Sequence, residues 1–161
     1  TVKANLPGSK FRNISPQVDN MDISVEQKNI SWQAANRLVE AAVNYAEEQG
    51  LCINVAVVDS GGHLAAFLRM PGSAFHSIDI AINKAYTAMS FGLATSGWQP
   101  VADSMSPLSQ SGLFSTDRLL PCGGGLPVEV NGNRIAGIGV SGASEQQDED
   151  IARQALSLLE K

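Results

Sequence analysis

Apolar residues first recur at helical spacing after Ser31: Trp32, Ala35, Val39, Ala42, Val43 and Ala46 fall on one stripe. Ser31 is a good N-cap and Gly50 a good stop, so this stretch predicts a helix. The run CINVAVVD at 52–59 abandons that period and is apolar on both faces, the pattern of a central strand. Asp59-Ser60-Gly61-Gly62 supplies turn chemistry, and HLAAFLRM at 63–70 reads as the returning strand of a hairpin. The helical period resumes from Ser77 to about Phe91, with Ile78, Ala81, Ile82, Ala85, Ala88 and Met89 on the buried side. ATSGWQPVADSMSPLSQSGL at 94–113 reads as irregular chain with one short helix near Val101. VEV at 128–130, Asn131-Gly132-Asn133 and RIAGIGV at 134–140 form a second hairpin. Ser144 and Gln147 make a capping box for a last helix, whose apolar positions include Ile151, Ala155 and Leu159.

The order is helix, hairpin, helix, loop, hairpin, helix. Hairpins mean antiparallel pairing, so the expected fold class is α+β, an antiparallel sheet flanked by helices, the first and last packed on it. Residues 1–20 carry two prolines and no period, and read as an N-terminal arm or linker. Residues 21–161 then form a single domain, long enough to bury a sizeable core.

Composition narrows the partners. A net charge of −5 offers no electrostatic reason to expect nucleic acid or an anionic membrane surface. Cys52 and Cys122 are too few for a disulfide scaffold and do not form a C-x-x-C pair. No apolar run reaches the length of a membrane span, and no signal-peptide pattern opens the chain, which points to the cytoplasm. A chain that begins at Thr1 also leaves room for a leader already removed.

Gly137, Gly139 and Gly142 spell G-x-G-x-x-G, which raises dinucleotide binding. That fingerprint needs a further parallel strand and a ribose-binding acid, and the last helix uses up the chain first. The helix also opens with Glu145, Asp148, Glu149 and Asp150, which suit its own dipole and repel a pyrophosphate. Nor does Gly123-Gly124-Gly125 lead into the G-K-[ST] of a phosphate loop. What remains is geometry. Alternation puts Ile135, Gly137, Gly139 and Ser141 on one strand face and Ala136, Ile138 and Val140 on the other. Two glycines on one face admit a closely packed helix or a flat ligand. Three consecutive glycines before Leu126-Pro127 suit a bulge or a cavity wall.

The pieces VAVVDSGGHLAAFLRM, INKAYTAMSF, CGGGLPVEVNG and IAGIGVSGASEQQDEDIA resemble the GlcG/HbpS family, which includes the C-terminal domain of PduO-type corrinoid proteins. With the first helix they span roughly residues 30–160. The resemblance implies a profilin-like α/β sandwich, homo-oligomers of two or more copies, and a bound haem or corrinoid. It also implies, in one branch, haem degradation. Two positions depart from the pattern. A histidine on the first helix ligates iron in the haem-binding PduO-type domain, and the matching residue here is Asn36. The secreted branch holds iron with E-x-x-E on its second helix, where this chain has Asp79 and then Ile82.

Candidate chemistry is sparse. His63 and His76 are the chain's two histidines. His76 stands three residues before Asp79, a spacing open to a shared metal or a surface charge pair. Arg69 and Lys84 are candidates to grip an anionic ligand; the alternative is an ion pair with Asp59 or another local acid. Cys122 lacks a recognisable base and reads as a packed thiol. One cavity is therefore expected, walled by Gly123, Gly124, Gly125, Gly137 and Gly139, with Arg69 or Lys84 as its cation and Asn36 contacting the ligand elsewhere. The function expected is binding of a small molecule such as haem, corrinoid or another flat cofactor. The alternative is an enzyme or accessory protein acting on a small organic acid.

Overall fold

A computed structural model describes residues 22–159, so the arm expected over residues 1–20 lies outside the described residues. The elements run α1 (Trp32–Glu48), β1 (Asn54–Asp59), β2 (Leu64–Arg69), α2 (His76–Phe91), α3 (Trp98–Asp103), α4 (Pro107–Phe114), β3 (Gly125–Val130), β4 (Asn133–Ser141) and α5 (Glu145–Leu156). The four strands form one sheet in the order β2-β1-β4-β3, every neighbouring pair antiparallel. The fold is α+β, with helices on both faces of the sheet.

Strand β1 is central because both its faces are apolar. Val55 and Val57 enter a core with α1 and α5, whereas Ala56 and Val58 pack against Ala81, Ala85 and Met89 of α2. Val55, Val57 and Val58 are fully buried, and each such side chain stabilises the fold by about 1.5–3 kcal/mol. The local signals set the ends of the elements. Ser31 accepts from the Ala34 N–H, and Ser144 and Gln147 close the capping box in both directions. Asn131 and Gly132 both have positive φ, 51° and 73°, the conformation that an Asn-Gly hairpin turn requires.

Several details differ from the sequence pattern, each for a local reason. A bulge interrupts the β3–β4 register between Val128 and Glu129, opposite Ala136 and Arg134. The extra residue turns Ile135 onto the face of Ala136 and Ile138, away from the glycines. Helix α4 was not visible as a period because none of its residues is buried; Ser106 caps it and Pro107 opens it. Buried Trp98 anchors this region, edge-to-face with Phe91 at 4.8 Å and Phe114 at 6.4 Å. Helix α2 buries Lys84 and Thr87 and leaves Ile78 and Ile82 only half-buried. Strand β3 starts inside the glycine triplet, at Gly125. Leu159 falls in a 3-10 turn after α5 and is 36% exposed. No described helix is long and apolar enough to cross a membrane.

Candidate functional site

The triple glycine lies where α2, β4 and the start of α5 meet. Lys84 reaches out of α2 and donates to Asp148 Oδ2 at 2.8 Å and to the Val140 carbonyl at 2.9 Å. Both side chains of this pair are 3% exposed. Asp148 Oδ1 accepts from the Ala143 N–H at 3.0 Å, so the carboxylate also fastens the loop before α5. Burial pushes the Asp148 carboxyl above its ordinary range; Lys84 and the N–H groups of Ala143 and Gly142 oppose that shift.

The glycines wrap this pair. Gly123 N–H donates to Glu145 Oε2 at 2.7 Å and Gly125 N–H to Thr95 Oγ1 at 2.8 Å. Both amides are thus already engaged by the protein. Gly124 has φ +115°, and a Cβ there would stand 2.7 Å from both Asp148 Cβ and the Val140 carbonyl. Gly137 and Gly139 bare one face of β4, and α2 occupies it: a Cβ on either would collide with the carbonyl of Ala85 or Ala81. The structure thus brings Gly123, Gly124, Gly125, Gly139 and Lys84 together around a closed ion pair instead of an open cavity. Lys84 takes its alternative role, with Asp148 as the acid. Cys122, beside the triplet, is half-buried, and burial raises its thiol despite nearby Lys84, which suits packing over nucleophilic chemistry.

Arg69 is elsewhere. It pairs across the sheet with Asn54, whose other neighbour is Ser141, so two strand spacings, about 10 Å, separate Arg69 from β4. Its Nη2 donates to the Ser73 carbonyl at 2.8 Å, and its guanidinium carbon lies 4.9 Å from the Phe75 ring centroid. Arg69 Nε and Asn54 Oδ1 are buried without a partner among the described residues. Asp59 pairs instead with His63, Nδ1 to Oδ1 at 3.2 Å, and the His63 side chain is 82% exposed.

His76 and Asp79 are both exposed in the first turn of α2, where Asp79 complements the helix dipole. Among the described residues no group of three or more His, Cys, Asp or Glu side chains is placed to hold a metal ion. Asn36 is exposed on α1 one turn after Trp32, which is itself 66% exposed. This edge of α1 faces away from α5. The opposite edge, through Ala34, Leu38 and Ala41, lines a groove of about 790 Å³ with Leu158 and Leu159.

Comparison with known proteins places this architecture. A 15.0 kDa protein from the dhaT–dhaS intergenic region of Citrobacter freundii is 36% identical over 139 residues, 84% of this chain and 96% of that one. The crystal structure of HbpS superposes with a TM-score of 0.76 at 34% identity, covering 85% of this chain and 94% of the other. The crystal structure of a PduOC:heme complex gives a TM-score of 0.73 at 30% identity, covering 80% and 94%. The family model described as "Haem degrading protein HbpS-like" matches residues 30–157. Nearly all of the described fold lies within that match, and the chain belongs to the HbpS-like family.

Proposed function

We propose that this protein binds a flat cofactor of the haem or corrinoid class on the exposed edge of α1. The observation that carries the reading is Trp32: an indole 66% exposed, at the margin of the helix's apolar stripe, one turn before Asn36. Val43 continues that edge and is partly buried against the core beneath α1. Exposed apolar surface of this kind suits a planar ring. Family membership supports the same reading, since the PduOC relative is a complex with heme.

The residues fit the ring better than its metal. Asn36 offers an amide, a poor iron ligand, and both histidines lie off α1. The chain would therefore supply apolar contact to the faces of the ring, and Asn36 would contribute little to holding its iron. Titrating the protein with hemin tests this: saturable growth of a Soret band, lost in Trp32→Ala, is the expected result. No Soret change at any ratio overturns it. Haem degradation is a finer form of the reading, and loss of that band on adding peroxide is its test.

Self-association accompanies the reading. Trp32, Phe75 and Leu108 are 66%, 76% and 85% exposed, apolar area that a second copy can cover. A protein that sediments as a monomer over a wide concentration range contradicts it.

A further inference from the structure

On the other face of the sheet, a pocket of about 250 Å³ opens between the β1–β2 turn and the last turns of α2. Its lining includes Gln27, Gly61, Gly62, Tyr86, Ser90 and Arg134. The volume is below the range of drug-sized sites and holds about eight waters at liquid density, so its occupant is small.

Three features decide the chemistry of that occupant. First, Arg134 Nε is buried and has no partner among the described residues. The three ion pairs among those residues are His63–Asp59, Lys84–Asp148 and Arg153–Glu149, and none uses it. Glu129, its register partner on β3, is exposed and does not form an ion pair with it. Second, no carboxylate lines the pocket, and a second cation stands close by: the Arg118 guanidinium carbon is 3.7 Å from the centroid of the Tyr86 ring. Third, the turn amides are already used. Ser60 N–H donates to Asn29 Oδ1, Gly61 N–H to Asp59 Oδ1 and Gly62 N–H to the Asp59 carbonyl. The donors left for a ligand are side chains: the Arg134 fork, the hydroxyls of Tyr86 and Ser90, and the Gln27 amide.

Gly62, at φ +80°, lets the turn rest directly on Tyr86, where a Cβ would come within 2.6 Å of the ring. Asn29 ties the segment that carries Gln27 to the same turn through Ser60 and Asp59. Elements distant in the chain thus hold these donors around one small space. We infer that this pocket binds a small carboxylate, gripped by Arg134 and oriented by Tyr86 and Ser90. The site is independent of the proposed cofactor strip, which lies on α1 across the sheet.

Arg134 has a competing structural role, because its guanidinium packs against Gly92 at the C-terminal end of α2. The test separates the two. The full chain is titrated with acetate, acetamide and inorganic phosphate while amide shifts are followed by NMR. Acetate should give saturable shifts at Gly61, Gly62 and Ser90, and neutral acetamide should give none. Arg134→Gln should weaken acetate binding by about tenfold or more. Ser90→Leu fills the pocket from an exposed helical position and should abolish binding with the fold intact, which keeps the test decisive if Arg134→Gln unfolds. Absence of saturable acetate shifts overturns the proposal. So do acetamide or phosphate shifts as strong as those of acetate, or acetate shifts that Ser90→Leu leaves unchanged.

Discussion

Lys84 and Asp148 meet at 2.8 Å inside the protein, 64 residues apart in the chain, with neither side chain more than 3% exposed. Neither charge is tolerable there alone. Asp148 also holds the Ala143 amide, and Lys84 also holds the Val140 carbonyl, so the pair locks α2, β4 and α5 to one another.

Lys84→Met is therefore expected to destabilise the protein by about 3–5 kcal/mol, because it leaves a buried carboxylate without its counter-charge. Lys84→Met combined with Asp148→Asn should lose less than the sum of the single variants, since the stranded charge is gone. Urea unfolding of the three variants measures this. Additive losses would show that the two residues act independently.

Gly139→Ala should be destabilising by about 1–3 kcal/mol or more, because the new methyl meets the Ala81 carbonyl, which a packed helix cannot move aside. Gly124→Ala should behave alike, with the strain of a non-glycine residue at φ +115° added. Gly112→Ala is the control. It sits in α4 with nothing within 4 Å of the new Cβ and should stabilise the protein by about 0.5–1 kcal/mol. Thermal melts of the three decide whether the glycines serve packing.

Acid should weaken the fold through Asp59 and not through Asp148. Burial acts to raise the Asp59 carboxyl, but bonds from the His63, Asn29 and Gly61 N–H groups and the charge of His63 bring it below its ordinary value. A depressed carboxyl stabilises the folded state above the unfolded aspartate value, about 3.9, and that stability is lost as pH falls through the lower folded value. Asp148 has the opposite sign: burial raises its carboxyl, so its ionisation does not produce an acid limb. Asp59→Asn should flatten the acid limb of a stability–pH curve, and Asp148→Asn should leave that limb in place. The reverse ranking would contradict both assignments.

Asn36→His should raise hemin affinity and sharpen a six-coordinate spectrum, because it adds an imidazole one turn from exposed Trp32. An unchanged spectrum moves the cofactor off this edge of α1, towards the groove beside Leu38 and Leu158.

The signals legible along the chain are local. Ser31, the Ser144–Gln147 box and the Asn131-Gly132 turn act on backbone groups within a few residues, so their chemistry can be read where it stands. The central place of β1 was equally legible, because a strand apolar on both faces must be covered on both. What fills the bared face of β4 depends instead on how the elements pack. A glycine strand accepts a ligand or a helix equally well, and α2 took the space. That packing also decided the fate of the cations. No spacing rule links Lys84 to Asp148, or the turn at Gly61 and Gly62 to Arg134, since those meetings depend on how sheet and helices stack. Lys84 was neutralised by its stacking partner, whereas Arg134 was left facing a small pocket lined by no acid. The same stacking hides a lysine that the chain pattern offers to a ligand and leaves at a pocket an arginine that this pattern does not single out.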